Sequence, residues 1–205
     1  MSIQANGVLE QWISKTDGCQ TKVVGNPWVD FWKNNAEPYA HSDYILYSLQ
    51  PKPVTLADLF PPLLIDFIQK NPYKWFLRLH PRQLNEKPAI EKFLKQQNVL
   101  HLVVIEDATN DPLPQLLANA RIHITHFSGS TIEAALFNVY TVLLNELGVA
   151  SFPDLIAKKQ ATFLNPADSS FSNNLKDVLE NNQMLNKKHA LEDKTQVVTQ
   201  KDLFS

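Results

Sequence analysis

Glycine is scarce in this 205-residue chain, with five in all, at positions 7, 18, 25, 129 and 148. So few, so placed, exclude a Gly-x-Gly-x-x-Gly dinucleotide fingerprint, a P-loop and a Gly-x-Ser-x-Gly nucleophile elbow. A single cysteine, Cys19, excludes an internal disulfide and a thiolate metal cluster. His123 and His126 stand three apart in a strand-like run, so they point to opposite faces and a shared metal is not expected. An excess of positive charge is lacking too. The net charge is -2, and a binder of nucleic-acid backbone normally carries a basic surplus, so no nucleic-acid partner is expected. No apolar run approaches the ~20 residues of a membrane span. Nor does the start, with Gln4, Asn6 and Glu10, have the basic-then-apolar build of a signal peptide. What remains is a globular, cytoplasmic protein.

No internal repeat or low-complexity segment interrupts the chain, and composition divides it into three zones. Residues 1–43 hold Gly7, Gly18 and Gly25-Asn26-Pro27 together with Trp12, Trp28 and Trp32. Residues 44–182 alternate apolar runs with amphipathic stretches. Residues 183–205 are polar and read as a tail.

The middle zone carries the fold. Runs rich in β-branched and aromatic residues recur at Tyr44–Leu49, Lys74–Leu79, Val99–Ile105, Arg121–Thr125, Thr141–Asn145 and Ala161–Leu164. They are nearly continuously apolar, as strands covered on both faces of a parallel sheet must be. Helical patterns lie between them. Pro61-Pro62 opens a stripe of Leu63, Leu64, Phe67 and Ile68; Asp111-Pro112 reads as cap and first helical residue before Leu113, Leu116 and Leu117; Asp168 can cap a helix bearing Phe171, Leu175, Val178 and Leu179. Alternation of this kind predicts an α/β fold: a Rossmann-like parallel sheet of about six strands with helices on both faces.

In such a sheet, ligands bind outside the carboxyl ends of the strands. Those ends collect His80-Pro81-Arg82, Glu106-Asp107, and the turn His126-Phe127-Ser128-Gly129-Ser130-Thr131. The last of these leads into a helix with Ile132, Ala135 and Leu136. Free backbone N–H groups at a helix start suit a phosphate; Gly129 permits close approach, and Ser128, Ser130 and Thr131 supply hydroxyls. The same tetrapeptide, Ser130-Thr131-Ile132-Glu133, also fits a capping box that merely finishes the helix. His80 can bind or protonate a departing phosphate, or simply hydrogen-bond a neighbouring loop. Arg82 is either its helper or a solvated surface charge.

Taken together, these segments resemble the C-terminal, donor-binding half of GT-B glycosyltransferases. The likeness is strongest to bacterial capsule and surface-polysaccharide transferases, the sialyl- and Kdo-transferase-like groups, and the glycerophosphotransferases of teichoic acid synthesis. It rests on Arg78-Leu79-His80-Pro81-Arg82, Glu106-Asp107, Leu116-Leu117-Ala118-Asn119-Ala120 and Ile124 through Ala134. Val24-Gly25-Asn26-Pro27-Trp28-Val29-Asp30 is similar to the linker between the two halves. The resemblance implies a single GT-B half that takes a nucleotide sugar (CMP-, CDP- or UDP-linked) as substrate, with a glycan acceptor and no cofactor or metal. It implies that His80, Ser128, Ser130 and Thr131 grip the donor phosphate, and that Glu133 holds ribose hydroxyls. It also implies work in cell-surface glycan synthesis, in the cytoplasm or peripheral to the inner membrane. Asn138-Val139-Tyr140 departs from the usual Gly-Lys-Pro-like turn, so the sugar side of the pocket is expected to differ.

UDP-N-acetylglucosamine 2-epimerases share this half-fold and are one alternative. A non-catalytic nucleotide- or partner-binding half, split or degenerate, is another. Only about twenty residues precede the linker-like segment, so the N-terminal half is expected to be missing. A chain so built is expected to bind donor but not to turn over alone. Trp12, Trp28, Phe31 and Trp32 crowd its front, either packing onto the domain or forming an interface for an N-terminal-half partner or a second copy.

Overall fold

A computed structural model describes residues 27–37 and 43–181. Trp12, the start of the linker-like segment and the 183–205 tail lie outside the described residues.

Helix α1 (Pro27–Asn35) precedes strand β1 (Tyr44–Ser48), and the short helix α2 (Leu56–Leu59) and α3 (Pro62–Lys70) follow. Strand β2 (Trp75–Arg78) leads through a 3-10 segment (Pro81–Glu86) into α4 (Lys87–Gln96). Next come a 3-10 turn (Leu100–Leu102), β3 (Val103–Val104), α5 (Glu106–Asn110) and α6 (Leu113–Asn119). Then β4 (Ala120–Thr125), α7 (Ser130–Leu136), β5 (Thr141–Leu143), α8 (Glu146–Ser151), α9 (Pro153–Ala157) and β6 (Ala161–Phe163) follow, and residues 171–181 form α10. All six expected strands are present and all pair in parallel, in the order β3-β2-β1-β4-β5-β6. This is the Rossmann-like α/β arrangement, whose order reverses between β1 and β4.

The reversal follows from chirality. Crossovers between parallel strands are right-handed, so a chain stepping β1, β2, β3 in one direction lays its helices on one face. Returning to place β4 on the other side of β1 sends the later helices to the opposite face. The two cores reflect this. Ile45, Tyr47, Trp75, Leu77, Ile122 and Ile124 pack with Leu64, Phe67, Ile90 and Leu94 of α3 and α4, and with Phe171, Leu175 and Leu179 of α10. Tyr44, Leu46 and Phe76 pack on the other face with Ala108, Leu116, Leu117 and Ala134 of α5, α6 and α7. Every residue of β1 and of β4 is buried, which is why both read as unbroken apolar or near-apolar runs. Each fully buried large side chain contributes about 1.5–3 kcal/mol, so these two faces hold the sheet together.

Two local expectations are corrected. Val99–Ile105 is not one strand, because Leu100–Leu102 winds into a 3-10 turn and only Val103 and Val104 pair. The cap of α6 is Pro112 rather than Asp111, and no side chain closes that helix start. On α7 the buried residues are Thr131 and Ala134, whereas Ile132 and Leu136 are exposed. Asp168 does close the turn before α10, accepting from the N–H and hydroxyl of Ser170. Among the described residues, no helix is long and apolar enough to cross a membrane.

Candidate functional site

Two hydrogen bonds fix the loops at the reversal point. Thr125 Oγ1 donates to the Ser48 carbonyl (2.9 Å) and ties the carboxyl ends of β4 and β1. Gln83, fully buried, donates to the Gln50 carbonyl (2.6 Å) and ties the segment after β2 to the end of β1. The loops after β1, β2 and β4 are thus held in one neighbourhood.

His123 sits beneath them on β4, wholly buried. Its Nδ1 is 3.1 Å from Thr141 Oγ1, and its Nε2 is 3.0 Å from Ser48 Oγ and 3.2 Å from Ser130 Oγ. Burial pushes its pKa down to about 3, so the ring is neutral. Ser130 is therefore held from below by an imidazole rather than spent on its own helix. The residue before α7 is Gly129, with no side-chain cap, so the capping-box alternative for Ser130–Glu133 is absent. Gly129 has an ordinary helical φ of -57°, and a Cβ there would meet nothing within 4 Å. Neither backbone conformation nor packing demands glycine at this position. Thr131 Oγ1 is buried without a hydrogen-bond partner, while Ser128 Oγ accepts from the Ser130 N–H (3.3 Å).

His126 points to the other face, as the strand period requires: its Nδ1 is 3.4 Å from Tyr47 OH, and its Nε2 is 3.2 Å from the Asp58 carbonyl. His80 caps the 3-10 segment after β2. Its Nδ1 accepts from the Arg82 N–H (3.1 Å), while Gln83 reaches back to the His80 N–H (3.2 Å). That leaves Nε2 as the ring's one uncommitted nitrogen. Arg82 is exposed, and its charged group meets no hydrogen-bond partner among the described residues. No hydrogen bond joins His80 to the Ser128–Thr131 turn.

Two residues take on greater importance in three dimensions. Arg78, at the end of β2, turns its Nη1 into the last turn of α5, donating to the carbonyls of Ala108 (2.9 Å), Asp111 (2.7 Å) and, more weakly, Thr109 (3.4 Å). Glu133 of α7 lies within its field but outside ion-pair distance. Desolvation raises the Glu133 pKa and Arg78 opposes that rise. No local pattern marks Arg78 beyond its place in the Arg78–Arg82 segment, because its partners come from α5 and the residue that follows it.

Beside this cluster, on the face of His126, a cleft of about 960 Å³ opens over the ends of β4, β5 and β6. Pro53, Ala57, Asp58 and Pro62 form one wall, and Asn145, Glu146, Phe163 and Asn165 the other. Each asparagine uses its Oδ1 to cap a turn, Asn145 accepting from Leu147 N and Asn165 from Ala167 N, which leaves both amide NH2 groups as donors. None of His80, Arg82, Ser128, Gly129, Ser130, Thr131 or Glu133 lines it; the sequence reading did not single out this cleft. Among the described residues, no group of three or more His, Cys, Asp or Glu side chains is arranged to hold a metal ion.

No protein-family model matches the chain, and no curated protein does. Solved structures do align with it. A UDP-GlcNAc 2-epimerase from Methanocaldococcus jannaschii is 18% identical over 76% of this chain and 42% of its own, at a TM-score of 0.48. The C-terminal domain of a glycosyl transferase group 1 family protein, LpcC, from Francisella tularensis is 17% identical over 77% of this chain and 82% of its own (TM-score 0.47). The wall teichoic acid polymerase TagF is 12% identical over 77% of this chain and 40% of its own (TM-score 0.44). The chain thus spans less than half the length of the epimerase. At these identities and scores the likeness is one of fold and says nothing of activity.

Proposed function

We propose that this chain is the donor-binding half of a nucleotide-sugar-dependent glycosyltransferase of the GT-B kind, working on a cell-surface glycan. One observation carries the reading: at the single point where the strand order reverses, hydroxyls, an arginine and a carboxylate converge, with a roomy cleft alongside. A nucleoside diphosphate linked to a sugar presents matching chemistry, namely oxyanions, ribose hydroxyls and a polar group beyond the phosphates.

In this reading Ser128, Ser130, Thr131 and the backbone at Gly129 receive the phosphate, and Glu133 takes ribose hydroxyls. The cleft beneath Asn145 and Asn165 takes the transferred group. His80, with Nδ1 committed to its cap, offers Nε2 to the departing phosphate. Fixed donors aimed where negative charge grows act without reorganisation, which is the main source of rate in such a step. The described residues supply the donor wall only. Holding an acceptor in near-attack geometry contributes about 7–11 kcal/mol of barrier reduction, so binding without multiple turnover is the expected behaviour of this wall alone.

A thermal-shift panel of CMP, CDP, UDP, GDP and TDP tests the reading. A specific ligand at 100 times its dissociation constant adds about 2.7 kcal/mol, a shift of several degrees. One base should stand out. If none of the five raises the midpoint at millimolar concentration, the nucleotide reading fails.

A further inference from the structure

We propose that the Nε–Nη2 edge of Arg78 is a preformed oxyanion site, taking side-on the phosphate or carboxylate of a small ligand that enters where β1 meets β4. The inference deepens the reading above, and rests on it only for the position of the ligand. Arg78 is held from behind, because Nη1 is committed to the carbonyls of Ala108 and Asp111. A cation at a helix C-terminus is also favoured by the helix dipole, so this anchorage is stable in its own right. The planar group is thereby oriented, and its other edge has no hydrogen-bond partner among the described residues. Those two nitrogens are not buried orphans either, so solvent reaches them.

The molecule holds its own comparison. Arg121 directs Nη1 to a backbone carbonyl, that of Leu179, and fills its Nε–Nη2 edge with the carboxylate of Asp43. Arg78 makes the same division of labour but has no carboxylate on that edge. Glu133, the acidic group whose field it feels, forms no ion pair with it. A guanidinium fork matches a phosphate or a carboxylate with two parallel bonds, so either oxyanion fits. Closing α5 uses Nη1 alone, which leaves the Nε–Nη2 edge with no task in holding the fold.

The Nε–Hε resonance of Arg78 in 15N-edited NMR spectra of the full chain reports on this edge directly, with Arg78→Lys identifying the peak. Ribose 5-phosphate is the phosphate probe and gluconate the carboxylate probe; UDP and CDP are added in parallel. A saturable shift of the Arg78 peak with either probe is expected, the stronger of the two naming the source of the oxyanion. Affinity for that probe should fall about tenfold or more in Arg78→Lys, whose thermal midpoint stays within about 3 °C of wild type. A peak unmoved by all four overturns the proposal, as does equal affinity in Arg78→Lys. If UDP or CDP binds without moving the peak, this proposal falls and the nucleotide reading stands. If the peak moves with ribose 5-phosphate or gluconate but no nucleotide binds, the reverse holds.

Discussion

Ser48 and Ser130 share one ring nitrogen: the hydroxyl of each lies within hydrogen-bond distance of His123 Nε2, at 3.0 and 3.2 Å. A neutral imidazole nitrogen either donates one proton or accepts one, so it serves one hydroxyl well at a time. The serines are therefore interchangeable partners for the ring. Ser48→Ala and Ser130→Ala should each cost under about 1 kcal/mol, since the other serine remains. The double variant leaves a buried nitrogen unpaired, and should cost about 1–3 kcal/mol beyond the sum. Urea unfolding of the three variants measures this, and simple additivity would show that the serines do not substitute for one another.

Stability should fall in mild acid because of the same histidine. Its folded pKa, pushed down to about 3 by burial, lies below the unfolded value of 6.5. The unfolded chain therefore takes the proton first. Stability is kept above about pH 6.5 and is lost as pH falls toward 3, at up to about 1.4 kcal/mol per pH unit. His126, also shifted down by burial, acts in the same direction. Unfolding of wild type and His123→Asn between pH 7.5 and 4.5 separates the contribution. The variant should show a shallower slope, and parallel slopes would contradict the assignment.

At His80 two substitutions separate a structural from a ligand-facing role. Asparagine can accept the Arg82 N–H as the imidazole Nδ1 does, whereas alanine cannot. His80→Ala should lose about 1 kcal/mol of stability and His80→Asn much less. Both should weaken the preferred nucleotide if Nε2 meets the phosphate. Calorimetric titration that finds Asn equal to wild type would confine His80 to capping.

The two described glycines should respond oppositely to alanine. At Gly129 a Cβ meets open space, so Gly129→Ala should leave stability unchanged or raise it by about 0.4–1 kcal/mol. It should nonetheless weaken nucleotide binding, because the methyl group stands where a ligand would approach. At Gly148 a Cβ would collide with the His126 carbonyl and press on Leu143, so Gly148→Ala should destabilise by about 1–3 kcal/mol. Denaturant midpoints with and without nucleotide test both. A destabilised Gly129→Ala would mean that glycine serves the fold there.

The sheet was legible because its central strands are covered on both faces, which leaves a direct trace in composition. Tyr44–Ser48 and Ala120–Thr125 show it most clearly. Of the two edge strands, β6 lies within its apolar run, whereas the extent of β3 was not legible: Val103 and Val104 have one neighbour, β2, and the leucines before them turn into a 3-10 segment. At the site, sequence gave the strand ends but not the division of labour among their side chains. Ser130 looked like a cap because its partner, His123, lies on another element. Arg82 drew attention and Arg78 did not, because residues within strands read as core, and the carbonyls that orient Arg78 come from about thirty positions later. Contacts between distant segments leave no local pattern.

Pairing of β1 with β4 sets when this site can come into being. The Thr125–Ser48 bond joins residues 77 positions apart, across a connection that contains two other strands. Closing so long a segment carries an entropic cost that no neighbouring contact offsets, and non-local parallel pairings of this kind slow folding. Chains that have assembled β1, β2 and β3 but not yet docked β4 possess Arg78 and His80 without the hydroxyl turn. Without that pairing, nothing holds a ligand between the two halves of the sheet. A ligand spanning the junction binds only chains in which β4 is paired with β1 and opposes the loss of that pairing, so its imprint belongs in the unfolding rate.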